Sequence, residues 1–306
     1  MGVFAGQGDP AWSMAMLWRP PSTGPARTGP GPKPALSLDA IVRAAIEVAD
    51  RDGLAGLSMR AVGERLGRTA MALYTYVPGK EELLDLMYDG AHAELPGGYG
   101  PGEGWRAGIG RWAADLGAFY LRHPWTLQVS HSRPALGPHE QGVVENLVGI
   151  LRETGLPATA LRRIVGVLIH FVRGTAQTIA EARLAATATG VSDEEWWSAR
   201  SAQLHQVVPD FNARFPMSAW LGEEGLREEG LREDGPGEKG LRESGLGEDG
   251  LRERAASGTG PDEGCDEDAS VPYLEREARA MIETGLAVLL DGIEAATLRA
   301  SRRARP

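Results

Sequence analysis

The 306-residue sequence is short of cysteine, lysine and long apolar runs, with a single cysteine and three lysines. The lone Cys265 sits among Gly, Asp and Glu, so neither a disulfide framework nor a cysteine-based zinc site is available, and a cytoplasmic location is expected. No apolar run approaches the roughly 18 residues that a membrane helix needs. The nearest, AWSMAMLW at 11–18, is followed by Arg19 and lacks the basic leader and small-residue cleavage site of a signal peptide. No membrane partner is expected. The histidines at 92, 123, 131, 139, 170 and 205 form no His-x-x-x-His pair, and there is neither a Gly-rich phosphate loop nor a G-x-S-x-G elbow. Catalytic residues, metal ligands and cofactors are therefore expected to be absent, and the protein is not expected to be an enzyme.

A net charge of -10 argues against nucleic acid as a partner until its distribution is examined. Between 222 and 268 there are 16 acidic and 6 basic residues, so the rest of the chain sums to zero. From Arg27 to Lys80, 8 basic residues face 5 acidic ones, a mildly basic stretch. The acidic segment is a pentad repeat, GLREE GLRED GPGEK GLRES GLGED GLRER, whose regular glycines and single leucines cannot build a continuous apolar stripe. Residues 222–270 are expected to be a disordered insert. Residues 1–35, with seven prolines and six glycines, are expected to be a disordered tail.

Strand signals are scarce elsewhere, and the remainder reads as helices. In LSLDAIVRAAIEVADRDG, Ser37 caps a helix with Leu38, Ile41, Ala45, Val48 and Ala49 on one face and Gly53 just beyond its end. Ser58 opens a short second helix with Ala61, Val62, Arg65 and Leu66 at one-face spacing, and Gly67 ends it. Leu73 and Val77 mark a third, stopped by Pro78-Gly79, and Lys80 opens a fourth with Leu83, Leu84, Met87 and Ala91 toward the core.

Two short helices joined by a glycine-containing turn and buttressed by longer ones have the form of a helix-turn-helix. At about 100° per residue, Ala70, Leu73 and Val77 set the inward direction of the third helix. Met71, Ala72 and Thr75 then point outward, with Tyr74 and Tyr76 on the two flanks where phosphate strands would run. Lys80 adds a cation beside free backbone N–H groups. The outward face has few groups for bidentate base contacts, so readout should lean on thymine methyls under Met71 and Ala72, with Arg60 or Arg68 reaching a guanine.

Residues 36–95 resemble the DNA-binding domain of the TetR family of bacterial transcriptional regulators, through IVRAAIEVADRDGLAGLSMRAVGERLG and ALYTYVPGKEELLDLM. The resemblance implies DNA-facing roles for Ser58, Arg60, Thr69, Met71, Tyr74, Thr75, Tyr76 and Lys80. Residues 96–221 and 271–300 are similar to the ligand-binding domain of the tetracycline-repressor subgroup, through EGWRAGIGRWAADLGAFYLRHPW, SRP at 132–134, VVENLVGILRETGL and YLEREARAMIETGLAVLLDGIEA. That similarity implies a homodimer joined by a four-helix bundle, here from 161–185 and Tyr273 to about Leu298, and a small-molecule effector cavity in each subunit. Where the tetracycline repressor has a metal-ligating histidine before Arg-Pro, this chain has Val129 or Ser130, which argues against a metal-chelated effector.

Candidate cavity residues are Trp112, Leu116, Phe119, Arg133, His170, Phe171, Arg173 and Gln177, which combine bulky apolar surface with polar handles. Trp196 and Trp197 are open between closing the cavity and packing a loop. The expected protein is all-α: an N-terminal three-helix helix-turn-helix DNA-binding domain, then a helical ligand-binding and dimerisation domain. Its expected function is that of an effector-responsive repressor of a double-stranded DNA operator. A transcriptional activator of the same fold, or an interaction protein that no longer binds an operator, are the alternatives.

Overall fold

The computed structural model describes residues 3–20, 36–99, 104–228 and 273–303. Most of the pentad repeat, 229–270, lies outside them, as do the prolines of 21–35. The described chain is helical, with one two-stranded parallel pairing, and it divides into two compact units, Met1–Ala188 with Leu274–Pro306, and Thr189–Tyr273.

The first unit opens with β1 (Val3–Phe4) and α1 (Pro10–Leu17), a departure from the disordered tail expected there. The local cause is an N-cap: Asp9 accepts hydrogen bonds from the backbone N–H groups of Ala11 and Trp12, and Pro10 stands at the first helical position. Ala5, Ser13 and Leu17 are buried.

Next come α2 (Leu38–Gly56), α3 (Met59–Leu66), α4 (Ala70–Tyr74) and α5 (Lys80–His92). Ser37 caps α2 through Ala40 N–H, and Gly53, at φ 67°, interrupts its last turn. Ile41, Ala45, Val48, Val62, Leu73, Val77, Leu83 and Met87 meet in one core. On α3 the inward residues are Met59, Val62 and Gly63, whereas Arg65 is exposed and ion-paired with Glu47.

The fourth helix departs furthest from its pattern. Every residue from Glu82 to Asp89 is buried, so α5 is enclosed on its acidic face as well as its apolar one. Beyond it lie α6 (Gly104–Arg122), a 3-10 turn (Pro124–Gln128), β2 (Val129–Ser130), α7 (Pro138–Arg152), α8 (Ala158–Thr189) and α12 (Tyr273–Arg303). Helices α8 and α12 meet where the Phe171 ring lies over Gly285 and where Glu275 pairs with Arg183 and Arg279.

The second unit contains α9 (Asp193–Val207), α10 (Phe211–Arg214) and α11 (Pro216–Glu228). Ser192 and Glu195 form a capping box at the start of α9. Trp196 and Trp197 are half exposed and pack edge to face on each other at 5.0 Å. The backbone of α11 runs on to Glu228, past the position 222 at which the insert was expected to begin.

Candidate DNA-reading head and effector cavity

The turn between α3 and α4 is built by three local devices. Ser58 caps α3 through Ala61 N–H at 3.1 Å, and Thr69 caps α4 through Ala72 N–H at 3.4 Å. Between them Gly67 takes up φ 63°, ψ 38°, a left-handed conformation that closes α3 with little strain only in glycine. Gly63 allows the close approach: a Cβ there would lie 2.8 Å from the Arg68 carbonyl oxygen.

Leu73 and Val77 are fully buried beneath α4, while Met71 is 74% exposed, Tyr74 46% and Tyr76 38%. Thr75, Thr69 and Arg68 are also exposed, and Ala72 is half-buried. The structure therefore gathers the expected outward set on one surface. Arg60 is exposed but paired with Glu64 one turn along, whereas Arg68 has no carboxylate partner among the described residues. Lys80 reaches toward the Leu54 carbonyl at 3.5 Å, which holds its ammonium beside the start of α5. Gly79 supplies no side-chain cap there, so N–H groups of the first turn stay available for a phosphate oxygen.

The far end of the same helix enters a cavity of about 130 Å³. Tyr88 and His92 come from α5, Leu116 and Tyr120 from α6, His131 and Pro134 from the β2–α7 loop, Glu140, Gln141, Val143 and Val144 from α7, and Ile169 from α8. His92 Nδ1 lies 2.7 Å from the Tyr88 carbonyl oxygen and donates to it, leaving Nε2 as an acceptor. Burial, with His131 and His123 nearby, lowers the His92 pKa to about 4, so the ring is neutral. Burial also pushes the Tyr88 and Tyr120 hydroxyls up, so both stay protonated.

Of the eight candidates for the cavity, only Leu116 lines it. Trp112 borders a minor void beside it, with its Nε1 donating to the Val143 carbonyl at 3.2 Å. Phe119 stands behind His92, ring centroids 4.5 Å apart. Arg173 donates to the carbonyls of Thr126, Leu127 and Val129, and thereby fastens α8 to the 3-10 turn. Phe171 packs on α12. His170 and Gln177 are exposed on α8, and Gln177 donates to Glu181. Arg133 is exposed and lies 5.7 Å over the Phe4 ring. Among the described residues there is no cluster of three or more metal-ligating side chains.

Sequence reasoning missed a row of carboxylates on α5. Glu82 accepts from Asp9 N–H at 2.9 Å, and Asp85 accepts from Gly6 N–H at 2.7 Å and from the Ser13 hydroxyl at 2.9 Å. Asp89 accepts from His139 N–H and Glu140 N–H, at 3.0 and 2.9 Å, and so caps α7 from another helix. Burial raises the pKa of Asp85 and Asp89, only partly offset by these donors. Trp18 Nε1 donates to the Leu136 carbonyl, and β1 pairs with β2. Residues 3–20 thus form a clasp between the reading head and the helices that enclose the cavity.

A second link is made by His123, which joins Asp50 of α2 to Glu94 beyond the end of α5. His123, nearly enclosed, has Nδ1 2.7 Å from Asp50 and Nε2 3.2 Å from Glu94, the latter off the hydrogen-bonding direction. Burial pulls its pKa down, but the two carboxylates outweigh burial and hold it above the ordinary value.

Comparison with known proteins agrees with this architecture. Residues 41–87 match the bacterial regulatory proteins of the tetR family, and residues 99–241 match the tetracyclin repressor-like C-terminal domain. The HTH-type transcriptional repressor DrrR1 of Streptomyces coeruleorubidus is 41% identical over 222 residues, 72% of this chain and 80% of that protein. An HTH-type transcriptional regulator of Saccharopolyspora erythraea is 37% identical over 123 residues, 40% of this chain and 52% of that protein. The fold is shared with the TetR family protein ActR of Streptomyces coelicolor in complex with actinorhodin, at a TM-score of 0.59 and 20% identity, covering 86% of this chain and 98% of that one. With its reading head, its helical cavity domain and its relatives in agreement, the chain belongs to the TetR family of bacterial DNA-binding transcriptional regulators.

Proposed function

We propose that the protein is a homodimeric repressor that occupies a palindromic operator and releases it when a small molecule enters the cavity. The observation that carries this reading is the double role of α5. Lys80 at its start stands beside the exposed reading face, and Tyr88 and His92 near its end line the cavity. Twelve residues at 1.5 Å each place the two ends about 18 Å apart on one rigid element. A ligand that shifts the end of α5 therefore moves the head, and its differential affinity for the two arrangements limits the release it causes.

The likeness to a protein named a transcriptional repressor supports the sign of the regulation. The fold shared with a regulator solved in complex with actinorhodin supports a small-molecule effector. For the dimer, α12 offers Met281, Val288 and Leu298 on its exposed side, and α8 offers Val167 and Leu184. Two copies would bury these as a four-helix bundle and set the heads roughly 34–36 Å apart, the spacing of successive major grooves.

The test is selection of bound DNA from a random library, followed by fluorescence anisotropy on the winner. The expected outcome is a palindrome with thymines under Met71 and Ala72, and a loss of affinity when uracil replaces them. Recovery of no two-fold sequence would refute the operator reading. Unchanged affinity at every uracil would refute the methyl readout alone.

A further inference from the structure

The cavity contains a polar atom for which the protein supplies no partner. Glu140 is 6% exposed. Its Oε2 accepts from Leu136 N–H at 2.8 Å, but Oε1 is buried with no hydrogen-bond partner among the described residues. Leaving a carboxylate oxygen unpaired in a buried site costs more than leaving any neutral group unpaired.

The surroundings do not neutralise this charge. Asp89 and Asp85 are the charges that act on Glu140, and both are of the same sign; burial, with this repulsion, outweighs the backbone N–H groups of Leu136 and Ala135 and brings its pKa up to about 7. Arg173 faces Tyr88, Tyr120 and His131 and hydrogen-bonds three carbonyls, but it is not among the charges that act on Glu140. The two cavity histidines are held toward their neutral forms, chiefly by burial, and offer acceptors rather than cations. His131 adds a second unpaired atom, since its Nδ1 is buried without a partner. The Glu140 end of the site is thus rich in acceptors and negative charge, and Tyr88 and Tyr120 give it aromatic walls.

We propose that the effector of this cavity is a cationic amine, whose protonated nitrogen hydrogen-bonds Glu140 Oε1 and whose apolar body lies between the tyrosines and Val143. The proposal rests on the effector reading above and gives it a ligand class. At about 130 Å³ the cavity holds a ring and an aminoalkyl arm, so a larger ligand must extend beyond it. A way out is present: Val144 also borders an apolar groove of about 480 Å³ between α7 and α8, lined by Val148, Leu156, Leu161 and Val165. A carboxylate or phosphate placed at Oε1 would meet the Glu140 charge, and is disfavoured there on the same grounds.

The experiment uses the full-length protein at pH 8, where Glu140 is ionised, with phenethylamine and phenethyl alcohol as probes of nearly equal shape. Isothermal titration should show the amine binding about tenfold or more tightly than the alcohol, the advantage of one charge-assisted over one neutral hydrogen bond. Glu140→Gln keeps the size of the side chain and its bond to Leu136 N–H, and should erase that difference. Equal binding of the two probes to the wild-type protein overturns the proposal without recourse to any variant, as does absence of amine binding at millimolar concentration. Operator anisotropy separates this from the effector reading. An amine that binds through Glu140 but leaves DNA affinity unchanged supports the ligand class and defeats the effector reading at this cavity. DNA release by neutral or anionic compounds, with amines inert, supports the effector reading and overturns the ligand class.

Discussion

Gly63→Ala should damage the reading head more than its own helix. The substitution would normally favour a helix, by about 1 kcal/mol at an interior position. Here, however, the new methyl would stand 2.8 Å from the Arg68 carbonyl oxygen and 3.3 Å from the Ala70 nitrogen and the Thr69 carbonyl carbon. All three are backbone atoms of the turn, with no flexible side chain to swing aside, so the turn itself must shift. Overpacking of this kind costs about 1–3 kcal/mol, which exceeds the propensity gain. The displaced atoms lead directly into α4, so the shift is passed to Met71 and Thr75.

Gly67→Ala provides the contrast. No atom lies within 4 Å of a Cβ there, but φ is +63°, and the left-handed conformation costs an alanine roughly 1–2 kcal/mol. Gly67→Ala should lower the denaturation midpoint while the folded fraction binds operator normally. Gly63→Ala should weaken operator binding even where it is fully folded. Chemical denaturation and anisotropy on the same samples at low temperature make the comparison. A Gly63→Ala protein with wild-type operator affinity would show that the turn relaxes freely and would refute the argument.

Lys80→Ala should weaken binding to all DNA sequences alike and lower the salt slope by about one ion, because a phosphate contact reads no base; Thr75→Ala should change base preference instead, and a competition series over operator variants distinguishes the two. Asp85→Ala removes the acceptor of Gly6 N–H and of the Ser13 hydroxyl, and should cost about 1–3 kcal/mol. Hydrogen exchange should then show residues 3–17 losing protection ahead of α5, and retained protection would mean that the clasp is held by its apolar contacts. His123 has a folded pKa above its ordinary value, so its contribution to stability is complete below about pH 6.5 and is lost as pH climbs through the folded value. His123→Gln should therefore be most destabilising near pH 6 and least at pH 9, and a penalty independent of pH would show that the ring acts by packing alone.

The reading head was legible because its determinants are local. Ser37, Ser58, Gly67 and Gly79 punctuate the helices within a few residues of where they act, and the spacing of Leu73 and Val77 fixes the outward face. The acidic face of α5 was not legible. Nothing in the spacing of Glu82, Asp85 and Asp89 marks them for burial, and their partners are backbone N–H groups that arrive from residues 6, 9, 139 and 140.

The cavity residues were obscured for a related reason. Leu116 and Phe119 are equally buried on α6, and periodicity cannot distinguish a side chain that borders a void from one that fills the core. The helix α1 did have a local signal, Asp9-Pro10 ahead of an apolar run. The proline and glycine content of the whole stretch from 1 to 35 concealed it.

The clasp also sets an order of events in synthesis. Val3 pairs with Val129 and Phe4 with Ser130, so these residues leave the ribosome long before their partners exist. The contacts among α2, α3, α4 and α5 join neighbours in sequence and form quickly, whereas closing a loop of more than a hundred residues is slow. A nascent chain therefore passes through a stage in which the reading head is complete but unbuckled, with Asp85 facing water. Closure has to desolvate it. The clasp should accordingly appear as a late refolding phase that is faster in mild acid, where Asp85, whose pKa burial raises, takes up its proton before it is enclosed.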